Sequence, residues 1–275
     1  MIKSKLGFTV LAAVLTVGLM VIVPTFAAKN LTIKGSTTVL PVSQSCAEAF
    51  MNKHSEVNIS VQGGGSGVGI ASLIDGTCDI ADASRPIKDK EITKAEENGI
   101  DPYENVVALD GIAVIVHPSN PGDGLSLDQI KKIYTGEVSN WNEVGGKDMK
   151  IVVISRDSAS GTFETFNELA LDDERVRPDA LLQASNQAVA QTVSRTKGAV
   201  GYVGLGYLSS SVKPVSVDGV EPTKANVVDG SYKLARELYM YTDGPPQGLV
   251  KDFIDFVLSE EGQKLAEKAG YVAVK

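Results

Sequence analysis

A chain of 275 residues, 43% apolar, has material for a sizeable core, and its length suggests one large or two medium domains. The formal charge of −8 argues against a nucleic-acid binder, because affinity for a phosphate backbone needs a basic face. Two histidines and two cysteines offer no clustered metal-ligand set, so no metal and no cofactor is expected.

The N-terminus comes first. Lys3 and Lys5 precede an apolar run from Leu6 to Val23, and Thr25-Phe26-Ala27-Ala28 supplies small residues for cleavage, so 1–27 reads as an export signal. An uncleaved anchor is the alternative, since about 17 to 25 apolar residues span a bilayer. Pro24 and the small residues directly behind the run favour cleavage, and no cysteine stands there to make a lipoprotein. A periplasmic location is the expectation. Losing this segment, with two lysines and no acids, takes the formal charge from −8 to −10. An anion would then be bound against the mean field, which favours a recessed site built from directed local dipoles.

Leu31 to Lys34 is a short strand, and Val39 to Met51 has helical spacing at Val42, Cys46, Ala49 and Phe50, with Pro41 tolerated in the first turn. Val57 to Val61 alternates as a strand, Val68 to Ile74 is a short helix ended by Gly76, and Cys78 to Ala83 is the next strand. A charged helix covers Lys88 to Asn98. This alternation predicts parallel strands with crossover helices. Val106 to Val116 is an apolar run interrupted by Asp110 and Gly111, too long for an ordinary strand, and reads as a crossing between domains. Leu127 to Tyr134 is a helix capped by Ser126, and Ile151 to Ile154 a buried strand that delivers Arg156. Phe163, Phe166 and Leu169 line one face of a further helix. Gln187 to Arg195 is helical, Ala199 to Tyr202 extended, Leu234 to Tyr241 an aromatic strand suited to a return crossing, and Gly248 to Leu265 an amphipathic helical region. Trp141 is read as packing, and His54 and His117 as surface or loop residues.

Three segments put small hydroxyl and glycine residues where helices start: Gly35-Ser36-Thr37-Thr38, Gly63-Gly64-Gly65-Ser66-Gly67 and Ser158-Ala159-Ser160-Gly161-Thr162, the last just after Arg156. Each offers an oxyanion unpaired N–H groups, close main-chain approach and neutral hydroxyl donors. Taken singly, the glycine run is a flexible turn and the third segment a plain helix cap. Together with one always-charged guanidinium they predict a single anion site assembled from distant segments. The architecture expected is α/β and two-lobed, with ligand in the interdomain cleft and two hinge crossings, near Asp110 and near Leu238. The lobes would be 28–110 with 238–275, and 111–237.

Cys46 and Cys78 can pair in an oxidising compartment, stabilising by roughly 3 to 4 kcal/mol in the chain-entropy model; two buried thiols are the alternative.

The order GSTTVLPV, GGGSGVGI, DIADASRPI, LSLDQIKKIYTGEVSNWNEV, ISRDSASGT and GAVGYVGLGYL closely resembles the phosphate-binding proteins that serve ABC-type phosphate importers. The likeness spans nearly all of the mature chain. It implies a type II periplasmic-binding-protein fold, inorganic phosphate in the cleft, and delivery to an ABC permease with its ATPase by a monomer that is not an enzyme. By motif position it places phosphate contacts at Thr37, Thr38, Ser66, Arg156, Ser160, Gly161 and Thr162, with Ser36 and Gly65 beside them. One position departs from the pattern. Where many relatives carry an aspartate that accepts the ligand's proton, this chain has Ser84-Arg85, with Asp82 two residues earlier on the same strand face. Arg85 would make the site more cationic, or else pair with a nearby acid at the surface. Sulfate or molybdate is the alternative ligand, and a secreted hydrolase the alternative class. The hydrolase is disfavoured because Gly-x-Ser-x-Gly fails at Ser66, followed two residues on by Val68, and at Ser160, followed by Thr162.

Overall fold

The computed structural model of the protein describes residues 29–274, so the expected signal segment lies outside the described residues. The chain opens with β1 (Lys29–Gly35), α1 (Leu40–Lys53), β2 (Val57–Gly63), α2 (Ser66–Ile74), β3 (Ile80–Ala83) and α3 (Asp89–Glu97). It continues with β4 (Pro102–Val116), β5 (Gly124–Leu125), α4 (Leu127–Thr135), β6 (Val152–Arg156), α5 (Gly161–Leu171), β7 (Leu181–Gln183), α6 (Asn186–Arg195) and β8 (Ala199–Gly204). The last elements are β9 (Lys213–Pro214), β10 (Ser216–Val217), α7 (Lys224–Val228), β11 (Ala235–Asp243), α8 (Gly248–Val257) and α9 (Glu260–Lys268).

One mixed sheet runs β2-β1-β3-β11-β4-β8-β6-β7, with β9 beside β4. The parallel pairing predicted from the strand–helix rhythm holds at its two ends, β1 with β2 and β3, and β6 with β7 and β8. Its centre is antiparallel, because the chain runs out along β4 and returns along β11.

The long apolar run is a single strand of 15 residues, which its two successive partners explain. From Pro102 to Gly111 it pairs with β11, and from Ile112 to Val116 with β8. The apolar clusters divide at the same place. One contains Ile112 through Leu234 together with Val272, while two others draw on residues before Asp110 and from Leu238 onward. The register of β11 on β4 shifts between Leu238 and Tyr239.

Cys46 and Cys78 are buried free thiols, so the expected bridge is not formed. Cys46 packs with Leu31, Ile80 and Phe253 in one cluster, while Cys78 packs with Ile70, Leu73 and Tyr239 in another. Their sulfurs face different carbonyls, Gly262 O at 4.0 Å and Gly69 O at 3.8 Å.

Local chemistry sets the helix boundaries. Ser126 caps α4 by accepting from Gln129 N at 3.1 Å, as predicted. The C-terminal amphipathic region is two helices rather than one, since Ser259 accepts from Gly262 N at 3.2 Å and starts α9 anew. Trp141 is buried and donates to Gly198 O at 2.9 Å, a packing role.

Candidate functional site

The three hydroxyl segments meet. Thr38 Oγ1 and Thr162 Oγ1, 124 positions apart in sequence, lie 2.8 Å from one another. Ser66 Oγ is 3.3 Å from Ser84 Oγ and accepts from Ser84 N at 3.0 Å. Gly67 N donates to Ala159 O at 3.0 Å, tying the second segment to the third. Thr38, Ser66 and Ser84 are 0% exposed, and Ser36, Ser160 and Thr162 are buried with them.

Two glycines show why the chain is built this way. Gly65 has φ +103°, and a Cβ there would stand 2.4 Å from Ala159 O. A Cβ on Gly161, the first residue of α5, would stand 2.3 Å from Ser66 Oγ and 2.9 Å from Ser84 Oγ. Bare main chain is what lets these segments approach. Ser66 opens α2 and Gly161 opens α5, so two helix N-termini, whose first N–H groups have no partner within their own helix, point into the cluster. Ser160 Oγ accepts from Phe163 N at 3.1 Å and Ser36 Oγ from Thr38 N at 3.1 Å, which leaves each hydroxyl hydrogen free to donate.

Arg156, at the end of β6, is 2% exposed. Its Nε donates to Gln183 O at 2.9 Å and one Nη to Ala184 O at 3.1 Å, while Nη1 is buried without a protein partner. Burial lowers its pKa, but a guanidinium remains charged. The carbonyls that hold it belong to the segment leading into α6, whose first residue, Asn186, donates through Nδ2 to Thr37 Oγ1 at 3.1 Å and Thr38 Oγ1 at 3.0 Å. Arg156 is thereby coupled to the first hydroxyl segment.

Two weighed residues lie elsewhere. Arg85 does not add charge to the cluster: it forms a two-pronged pair with Glu91, both contacts 2.8 Å, and a further pair with Glu164. It is a buried pairing arginine rather than a surface one, 5% exposed. Asp82 turns toward α1, where Oδ2 accepts from Ser43 Oγ at 2.6 Å, and burial pushes its carboxyl up to about 8 against that hydrogen bond. Ser84 alone of the three meets the hydroxyl cluster.

Sequence reasoning did not select Asn186, Asp110 or Arg236 for the site. Asp110 is 0% exposed and pairs with Arg236, whose Nη2 stands at 2.8 Å and whose side chain is 4% exposed. The signal was there to read, since a lone acid inside a buried apolar run demands a cationic partner. Burial pushes the Asp110 carboxyl up while Arg236 pulls it down. Neither imidazole is at these hydroxyls: His54 stacks on Phe50 and His117 bonds to Ser119.

A mixed sheet crossed by one outgoing and one returning strand, with hydroxyl-lined helix starts meeting beside the crossing, is the build of a type II periplasmic-binding-protein fold. A family model for the PBP superfamily domain matches residues 24–261. The phosphate-binding protein PstS of Bacillus subtilis is 36% identical over 253 residues, covering 90% of this chain and 82% of the relative. Among solved structures, a protein from Clostridium perfringens described as a phosphate ABC transporter substrate-binding protein, with bound phosphate, aligns at TM-score 0.84 and 38% identity, covering 90% of this chain and 100% of that one. An ABC-type phosphate transport receptor from Vibrio cholerae aligns at TM-score 0.73 and 33% identity, covering 88% and 99%. The chain belongs to the PstS family of phosphate-binding proteins within the PBP superfamily.

Proposed function

We propose that this chain binds inorganic phosphate outside the cytoplasmic membrane and hands it to an ABC phosphate importer, without turning it over. The observation that carries this reading is the 2.8 Å approach of Thr38 to Thr162, which joins hydroxyl segments from opposite sides of the β4 crossing beside the buried guanidinium of Arg236. The ligand set is Thr37, Thr38, Ser66, Ser84, Arg156, Ser160, Gly161 and Thr162. The lobes are 28–110 with 238–275, and 111–237, a division supported by the split of the apolar clusters. Phosphate bridges the two half-sites, and only the closed state uses both, so binding drives closure. Micromolar affinity requires about 8 kcal/mol, and charged hydrogen bonds supply about 1.5 to 3 kcal/mol each, so a handful of good contacts suffices even against the cost of closure.

Calorimetric titration of the ligand-free mature protein with phosphate, then sulfate and molybdate, tests the proposal. Saturable heat with phosphate at micromolar or tighter affinity, and weaker heat with the others, is expected. Tighter binding of sulfate would move the assignment to another oxyanion, and hydrolysis of a phosphate ester would move it to an enzyme. Ser84→Asp should sharpen preference for phosphate, since a carboxylate can accept the ligand's proton.

A further inference from the structure

Resting on the phosphate reading, we propose that Asn186 is a positioning residue: its carboxamide is a neutral clasp that holds the phosphate-contacting threonines when the two halves close, and so sets how long phosphate stays bound. Asn186 is the first residue of α6 and is 0% exposed. It is not spent on the helix itself, because Ser185 caps α6 by accepting from Ala188 N at 3.1 Å. Its amide therefore serves something outside the helix.

The neighbours fix which way that amide faces. Gly204 N, at the end of β8, stands 3.2 Å from Oδ1, and a main-chain N–H can only donate, so the oxygen belongs on that side. The NH2 group is thereby turned to Thr37 Oγ1 at 3.1 Å and Thr38 Oγ1 at 3.0 Å, one hydrogen for each. The two ends of the amide lie on different halves. Oδ1 is anchored in 111–237, the half that carries α6 and β8, whereas the threonines belong to 28–110. Gly204 takes part in the same approach, since a Cβ there would stand 2.9 Å from Thr38 Cγ2. Just beyond it, Tyr207 donates its hydroxyl to Thr37 O, so Thr37 is held from the opposite half at both side chain and carbonyl.

The carbonyls just before Asn186, those of Gln183 and Ala184, hold the Arg156 guanidinium. One short segment thus carries both the cation and the clasp, and when it grips the threonines it brings Arg156 into register with the first hydroxyl segment. A carboxamide suits a clasp that must open. On release its N–H groups return to water without the large desolvation swing that a buried ammonium or guanidinium would undergo in each cycle. Because the contacts join the halves only when they are closed, they favour closure and slow its reversal, while the first encounter with phosphate is unaffected.

The test is phosphate binding by the full mature protein and by its Asn186→Ala and Tyr207→Phe variants, with affinity from calorimetry, rates from stopped flow and ligand-free melting temperature alongside. Asn186→Ala should raise Kd about 5- to 50-fold and Tyr207→Phe about 3- to 10-fold, each loss lying in the off-rate with the on-rate within about threefold of the parent. An Asn186 that merely packs α6 on β8 would lower the ligand-free melting temperature and leave affinity and off-rate within about twofold of the parent. That result overturns the proposal, as does a loss of affinity carried by the on-rate. Should Asn186→Ala fail to fold, Tyr207→Phe decides: an off-rate within about twofold of the parent overturns the clasp, and a faster one supports it. No phosphate heat with the parent would instead sink the phosphate reading itself.

Discussion

Glu164 lies two residues past Thr162 in the first turn of α5, and reaches Arg85 and, at 2.8 Å, Lys88. Arg85 follows Ser84 directly, so these ion pairs sit immediately behind the hydroxyl cluster and link the proposed lobes only when they are together. Side-chain exposures of 5% for Arg85 and 20% for Glu164 place the main pair between the surface and the interior. An exposed pair is worth about 0.2 to 1 kcal/mol, and the contacts to Glu164 together about 1 to 2 kcal/mol after screening of the half-exposed Lys88. If the unliganded protein is mostly open, that energy is expressed wholly in affinity, and Glu164→Gln should raise Kd for phosphate about 5- to 30-fold. Arg85 keeps its two contacts to Glu91, so no charge is stranded and ligand-free thermal stability should stay within about 0.5 kcal/mol of the parent. Calorimetry measures the affinity, and stopped-flow release should place most of the loss in the off-rate. A Kd within twofold of the parent, with closure on phosphate still visible by small-angle scattering, would refute the reasoning.

Arg156→Ala should weaken phosphate binding by about a hundredfold or more, through loss of two or more charged hydrogen bonds; unchanged affinity by calorimetry would remove Arg156 from the site. Asp82 has a folded pKa raised to about 8 by burial, against about 3.9 unfolded. The folded state therefore keeps a proton that the unfolded state releases, and stability falls as pH rises from about 4 to about 8. Asp82→Asn abolishes that slope, so in ligand-free protein its melting temperature should gain on the parent steadily from about pH 5 to 8; a constant offset would contradict this. Burial pushes the thiols of Cys46 and Cys78 up to about 12. Native protein should resist iodoacetamide at about pH 8, and a reductant should leave its melting temperature unchanged, whereas a drop on reduction would point to a bridge.

Local patterns carried much of this protein in one dimension. The caps, the glycine-rich helix starts, the strand–helix rhythm and the crossing run around Asp110 all act within a few residues, through backbone geometry and nearest-neighbour hydrogen bonds, and could be read from the chain alone. The hydroxyl segments and Arg156 could be singled out as well, because an anion site such as the one proposed calls for those residue types. What depended on tertiary structure was which groups end up opposite one another across more than a hundred positions. Register on the crossing strands set Arg236 against Asp110, and the face chosen by each side chain turned Arg85 to Glu91 and Glu164 and Asp82 to Ser43. The same packing put Cys46 and Cys78 into separate clusters, so no bond forms between them. Residue type limits what a side chain can do, but a partner that is far away in sequence exists only once the sheet has fixed where both stand.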